Sequence, residues 1–164
     1  MPPLSVGTTA PDFQLAACTG GQYSLPEGLA GGTLLLAFFK VSCPTCQFTF
    51  PHLERLHQQR LGKGARIWGI VQGNAAEGTR FANTFSITFP ILVDDSPYKV
   101  SRAYRLDYVP SLFLVQPNGR IEVSSEGFSK ADLLAIQKSL AQSPAATLPA
   151  LFLPAEKIPE FKPG

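Results

Sequence analysis

The sequence predicts an α/β fold: a central sheet, helices on both of its faces, and a β-hairpin ahead of it. Three observations carry this. Strand-length apolar runs recur at Thr33–Phe39, Arg66–Gln72 and Thr88–Val93. Helix-start signals stand between and after them. Two short turns, Thr19-Gly20-Gly21 and Pro117-Asn118-Gly119, join segments of strand character. The 164 residues fit one domain at roughly 150 residues per domain. A chain of this size buries about 70% of its unfolded surface, so it needs neither disulfides nor metals to fold.

Asp12–Ala17 and Gln22–Leu25 flank the first turn and read as a short hairpin. Gly31-Gly32 opens Thr33–Phe39, whose unbroken apolar character fits a strand buried on both faces. A helix starts near Pro44 and runs to about Leu61, closed by Gly62 and Gly64. Arg66–Gln72 is a second buried strand, with Trp68 in the core. Asn74-x-x-Glu77 has the form of a capping box, and Phe81 and Phe85 follow at i, i+4 spacing. Thr88–Val93 is the third strand. Asp94, Asp95 and Ser96 are candidate caps for a helix with Pro97 in its first turn and an end near Tyr104. Ser111–Gln116 and Arg120–Ser124 bracket the second turn as a hairpin. Ser129-x-x-Asp132 caps a last helix with Leu133, Ile136 and Leu140 on one face.

Residues 1–142 are assigned to this domain, and the chain then changes character. Prolines recur at 144, 149, 154, 159 and 163, a spacing no helix survives. Leu148, Leu151, Phe152, Leu153, Ile158 and Phe161 lie between them, unlike a solvated linker. Residues 143–164 are therefore expected to form an extended Pro-rich arm packed on the body.

A net charge of +2 is too near neutral to suggest nucleic acid or an anionic membrane as the partner. The N-terminal residues show no basic stretch followed by an apolar one, so no signal peptide is expected. The longest apolar run, Leu34–Phe39, is far short of the roughly 20 residues that span a bilayer. On this reading the protein is cytoplasmic, or extracytoplasmic if a leader has been removed. The three cysteines, Cys18, Cys43 and Cys46, are too few and too odd for a disulfide framework or a four-thiolate zinc site.

Two of them form Cys43-Pro44-Thr45-Cys46 between a buried strand and a helix. A thiolate, not a thiol, attacks a disulfide, and a helix N-terminus stabilises a thiolate through its free N–H groups and partial positive charge. Cys43, at the cap, is the expected nucleophile. Cys46, three residues on and about 60° around the helix, can then attack the mixed disulfide. Pro44 sets the first turn, and Ser42 offers a hydroxyl beside the nucleophile. A half zinc site is the competing reading. His52 lies about 240° around the helix from Cys46, and His57 roughly 16 Å along it. Neither completes a site with bonds of about 2 Å. No metal site is expected, and both histidines are assigned to the helix surface.

The segment Leu34–Cys46, LLLAFFKVSCPTC, resembles the active-site strand and loop of thioredoxin-like proteins. It is most similar to the redoxin branch that holds the ResA/TlpA-type thiol-disulfide reductases and the alkyl hydroperoxide reductase/thiol-specific antioxidant (AhpC/TSA) family. Ala10-Pro11-Asp12-Phe13, Phe50-Pro51-His52-Leu53, Val109-Pro110-Ser111, Pro117-Asn118-Gly119-Arg120-Ile121 and Gly127 extend the resemblance over roughly residues 8–141. It implies a thioredoxin-like fold with a central mixed sheet. It also implies a cis bond before Pro110 that leaves the preceding backbone free to pair with an extended substrate. Tyr108, Val109 and Pro110 then border the substrate groove, while Lys40, Ser42 and Pro44 support the dithiol.

The chain also departs from the pattern. The acidic residue that thioredoxin buries behind its resolving cysteine is Ala37 here. Glu54 is a weak substitute, better read as a surface charge. Cys18 is read as a spare thiol; a second resolving cysteine or an intermolecular link remain alternatives.

The expected activity is thiol-disulfide exchange, needing no cofactor because the dithiol carries the electrons. Its partners would be a disulfide-containing protein or small molecule and a thiol electron donor. The alternative is a peroxiredoxin-like thiol peroxidase. Against it, the position that holds a Thr in those enzymes is Lys40, and the Pro ahead of it is missing from Leu34–Phe39. A third reading, a non-catalytic module displaying the arm, leaves the reactive dithiol without a use.

Overall fold

The computed structural model describes residues 3–62, 66–142 and 148–164. Gly64 and the start of the arm at 143–147 lie outside the described residues. The elements run β1 (Gln14–Ala16), β2 (Gln22–Ser24), α1 (Leu25–Ala30), β3 (Leu34–Phe39), α2 (Pro44–Gln58), β4 (Arg66–Val71), α3 (Ala75–Phe85), β5 (Ile91–Val93), α4 (Lys99–Ala103), β6 (Ser111–Val115), β7 (Ile121–Glu126), β8 (Phe128–Ser129), α5 (Lys130–Ala141) and β9 (Phe161–Lys162). The main sheet has the order β5-β4-β3-β6-β7. Strands β3, β4 and β5 are parallel, and β6 and β7 are antiparallel to their neighbours. The sheet is mixed, as the resemblance implies, and β1–β2 form the N-terminal hairpin.

β3 lies in the middle of the sheet, hydrogen-bonded on both edges. All six of its residues are shielded from solvent, because its side chains alternate between two apolar layers. Leu35, Ala37 and Phe39 face α2, α3 and α5. Leu34, Leu36 and Phe38 face α1, α4 and the hairpin. On the first face Phe39 meets Phe50 of α2 at 4.3 Å and Phe81 of α3 at 4.6 Å between ring centroids. Tilted ring pairs of this kind add to ordinary area burial, and they fix α2 against the sheet.

Several boundaries differ from the sequence reading. Leu25 opens α1 instead of ending a strand. Ser24 Oγ accepts the Glu27 N–H at 3.3 Å and Pro26 takes the first turn, so the capping chemistry prevails over the strand pattern. α1 also packs its backbone onto the core: a β-carbon on Gly28 would fall 2.5 Å from Trp68 Cη2. α2 ends at Gln58, short of Leu61. β5 begins at Ile91, because the Thr88 amide and hydroxyl bond to the Glu54 carboxylate of α2 instead of to a strand.

α4 starts two residues after Pro97, which follows a cis bond, so Pro97 is not in its first turn. The N-cap residue Tyr98 makes no side-chain capping bond. Asp94 supplies the cap from further back. Its buried carboxylate accepts the Val100 N–H at 3.3 Å, the Ser101 N–H at 2.8 Å and the Ser101 hydroxyl at 2.7 Å.

The arm residues cross α2 and α5. Leu151 is buried in the core cluster. Arg55 of α2 donates to the Leu151 carbonyl at 2.8 Å and to both Glu156 carboxylate oxygens at 2.7 and 3.0 Å. Gln137 of α5 donates to the Pro149 carbonyl at 2.8 Å. A 3₁₀ turn, Pro154–Glu156, interrupts the extended path.

This covering overturns the surface assignment of His52, which is only 7% exposed. Its ring packs against Phe48, Phe128 and Phe152, with centroids 5.3, 5.8 and 5.2 Å away, and its Nδ1 has no hydrogen-bond partner among the described residues. The reading of α2 as a free helical surface misses this because Phe152 lies 100 residues away in sequence. His57 remains half-buried, against Phe89.

Burial first, then the nearby Arg55 charge, holds the His52 imidazolium below its ordinary range, with Glu156 opposing. The unfolded chain takes up this proton from about pH 6.5 downward. The stability contributed by neutral His52 is therefore present above that pH and lost as pH falls through its lowered folded value. Thermal melts at pH 7.5 and 5.5 should show a lower midpoint at pH 5.5, and His52→Phe should flatten the difference. The depressed carboxyls of Glu54 and Glu156 titrate below this window. Asp94→Ala, which strands three buried donors, should cost about 2–3 kcal/mol in urea unfolding.

Candidate active site

β3 ends at Phe39 and the chain leaves the sheet through Lys40–Ser42 into α2. The Cys43 N–H donates to the Lys40 carbonyl at 3.2 Å, which closes the turn. Cys43 is the N-cap of α2, with extended backbone, and Pro44 is the first helical residue, where a missing N–H costs nothing. The Cys46 N–H points back at Cys43 Sγ, 3.1 Å away. An ionised sulfur accepts such a bond as a charge-assisted one. The Cys43 thiol in turn reaches the Val109 carbonyl at 3.4 Å.

The two cysteines are not joined in a disulfide and differ in environment. Cys43 is half-buried, while Cys46 has no solvent contact. Burial pushes the Cys46 thiol far above its ordinary range, and its hydrogen bond to Cys43 adds to the effect; a backbone contact with Lys40 opposes it. The two sulfurs thus lie within hydrogen-bonding range, one open to a reactant and one held protonated behind it.

The Val109–Pro110 bond is cis. Pro110 is buried, Val109 half-buried, and Tyr108 is 60% exposed at the rim. The Tyr108 carbonyl accepts the Ser111 hydroxyl at 2.7 Å, and the Pro110 carbonyl accepts the Gly127 N–H at 2.8 Å. Tyr108, Val109 and the exposed Lys40 line one cleft of about 220 Å³ together with Asp107 and Arg102. The structure therefore gathers Lys40, Pro44, Cys43, Cys46 and Tyr108–Pro110 in one region. Lys40 meets Cys43 through its backbone. Ser42 is exposed and makes no hydrogen bond to Cys43 among the described residues, contrary to the donor role expected of it.

The other candidates lie elsewhere. Ala37 shares the apolar cluster with Cys46, so no acidic side chain stands at that position behind this thiol. Glu54 is committed to Thr88 and to Gln58. Burial works against its ionisation, but these hydrogen bonds together hold its carboxyl below the ordinary range. It is a structural tie between α2 and the segment that leads into β5. Cys18 packs beside Gly78 and Thr79 of α3, its amide bonded to the Ile91 carbonyl; burial pushes its thiol up. Among the described residues, no three His, Cys, Asp or Glu side chains are grouped as metal ligands would be. No described helix is long and apolar enough to cross a membrane.

Sequence reasoning misses one set of residues here. Thr45, between the cysteines, donates its hydroxyl to the Pro163 carbonyl at 2.7 Å. Gly127 lies under residues 162–164 of the arm. The only sequence signal is the apolar-and-proline character of the tail, which indicates packing without saying where.

A thiol-disulfide oxidoreductase ResA from Geobacillus thermodenitrificans is 30% identical over 120 residues, covering 73% of this chain and 68% of the relative. The thioredoxin domain of a thiol-disulfide oxidoreductase from Bacteroides vulgatus superposes with a TM-score of 0.74 at 20% identity, over 84% of this chain and 99% of that one. A peroxidoxin, BcpB, from Mycobacterium tuberculosis superposes at 0.71 with 18% identity, over 85% and 97%. Both superpositions establish the fold, and the second shows that the fold alone does not separate the two chemistries. Residues 6–124 match the AhpC/TSA family. The chain belongs to that family, as a thioredoxin-like thiol-disulfide oxidoreductase.

Proposed function

We propose that the Cys43-Pro44-Thr45-Cys46 dithiol reduces disulfides of proteins or small molecules, with Cys43 as nucleophile and Cys46 as resolving thiol. The observation that carries this is the asymmetry of the pair: a half-buried sulfur at a helix cap facing a backbone donor, and a fully buried one behind it. The Cys43 thiolate attacks one sulfur of the substrate disulfide, forms a mixed disulfide and expels the other sulfur as a thiolate, which takes a proton. Cys46 then loses its proton, attacks Cys43 Sγ and releases the second substrate thiolate. Two electrons have passed from the dithiol to the substrate, and a Cys43–Cys46 disulfide remains for an external thiol donor to reduce. Pro44 holds the helix start. Tyr108, Val109 and Pro110 form the ledge on which the substrate backbone rests, and Lys40 offers a positive charge at the rim of the adjoining cleft. A peroxidase reading gains nothing from the site, since an exposed lysine stands where a peroxide-orienting hydroxyl would be needed.

In an insulin-reduction assay, Cys43→Ser should lose activity at least 100-fold, and Cys46→Ser should accumulate a mixed disulfide seen by mass spectrometry. Full activity in Cys43→Ser would sink the assignment. Alkylation of the reduced protein with iodoacetamide at pH 7.5 should modify Cys43 well before Cys46, since the buried thiol is both inaccessible and protonated; equal rates at the two sites would contradict the division of roles. Peroxide turnover at the rate of a dedicated peroxidase would reverse the choice of reaction.

A further inference from the structure

The arm does not stop at covering α2. Its last residues run onto the face of the dithiol. β9 pairs antiparallel with β8, Lys162 opposite Phe128 and Phe161 opposite Ser129. The Lys130 N–H donates to the Glu160 carbonyl at 2.9 Å. The Lys162 ammonium sits 4.6 Å from the centre of the Phe48 ring, and Thr45 holds the Pro163 carbonyl. A β-carbon on Gly164 would fall 2.5 Å from the Val109 carbonyl oxygen and 3.2 Å from Tyr108 Cβ. That same oxygen receives the Cys43 thiol. One carbonyl thus has the nucleophile on one side and the tail backbone on the other.

We infer that residues 160–164 occupy the seat of an extended polypeptide substrate, and must leave it before a protein disulfide can reach Cys43. This rests on the docking role proposed above for Tyr108–Pro110. Three features support it. First, the tail enters as an extended strand bound mainly through its backbone, the mode by which a sheet edge or a loop takes up a peptide regardless of its sequence.

Second, Gly127, at φ +71°, has no side chain where the tail crosses. The three atoms its β-carbon would meet first all belong to the tail: the Lys162 carbonyl oxygen, the Gly164 nitrogen and the Pro163 carbonyl carbon. The body is shaped to admit a backbone at this point.

Third, the arm is held unevenly. Upstream, Leu151 is buried, Glu156 is paired with Arg55, and Ile158 packs against the core. Downstream, Glu160, Phe161, Pro163 and Gly164 are exposed and held by a two-residue ladder, the Lys130–Glu160 amide bond, an exposed ion pair of 3.9 Å between the same two side chains, one hydroxyl and a ring contact. A segment so lightly held can lift, and its upstream anchor keeps it at high effective concentration for return. Small disulfides need no backbone seat and reach the half-buried Cys43 with the tail in place.

The test compares two full-length variants that loosen the tail by independent means. Phe161→Gly with Lys162→Gly raises the entropy cost of the ladder and removes the ring contact. Gly127→Asn keeps a residue tolerant of positive φ but puts a side chain against the tail backbone. Second-order rate constants are measured for insulin and for hydroxyethyl disulfide. The insulin-to-small-disulfide ratio should rise at least fivefold in either variant. Using the ratio cancels any loss of folded protein, and should Gly127→Asn fail to fold, the double glycine variant decides. A ratio unchanged or lowered in the folded variants means that the tail is only a structural strap, and overturns the inference. Activity that survives Cys43→Ser would instead overturn the dithiol reading beneath it.

Discussion

A strand with neighbours on both edges and apolar layers on both faces cannot shift without exposing both cores, and β3 is such a strand. Its position determines where Lys40–Ser42 leave the sheet, and so where α2 begins. The Phe39–Phe50–Phe81 contacts then fix the roll of α2 about its axis. That roll turns Cys43 toward the cis-proline loop and Cys46 toward the core. The loop is carried by β6, which is hydrogen-bonded to the other edge of β3. Cys43 and the loop are thus set from a single buried strand, and the 3.4 Å contact between Cys43 and Val109 inherits its rigidity.

The chemical asymmetry of the dithiol follows from packing more than from neighbouring charge. Cys46 is surrounded by apolar groups, Ala37 among them, so desolvation dominates its titration. Cys43 lies at the mouth of the helix, where N–H groups stand free of intrahelical partners. Two identical side chains three residues apart therefore meet different solvents, because the helix start lies at the boundary of the core. The same boundary explains Glu54: on the neighbouring outer face of α2, its carboxylate finds Thr88 and serves the fold.

The arm converts part of the outer face of α2 into interior. His52 becomes a buried imidazole among three phenylalanines, and Arg55 is recruited by Glu156 and the Leu151 carbonyl. The residues that cover the helix lead on to those that meet Thr45, Gly127 and Val109, so one segment joins the outer face of α2 to the surroundings of the dithiol.

The α/β class, the hairpins, the capping box at Asn74, the Ser129 cap and the dithiol at a helix start were legible in the chain, because each rests on residues within a turn or two of one another. The alternation of apolar runs with helix starts specifies which segments pair, and the Cys-Pro-Thr-Cys spacing specifies one helical turn. What local pattern misjudged was decided by groups distant in sequence. Thr88 leaves the strand for Glu54, Asp94 caps a helix from outside it, and His52 is buried by Phe152. The meeting of the tail with Thr45, Gly127 and Val109 is the extreme case, since the Thr45–Pro163 contact spans 118 residues. By itself the sequence determined most of the elements, α1 and the β8–β9 ladder excepted, and the place of the two cysteines at a helix start, because hydrogen bonds and periodicity act locally. Only the tertiary structure decided which faces are covered, because burial depends on the whole chain at once.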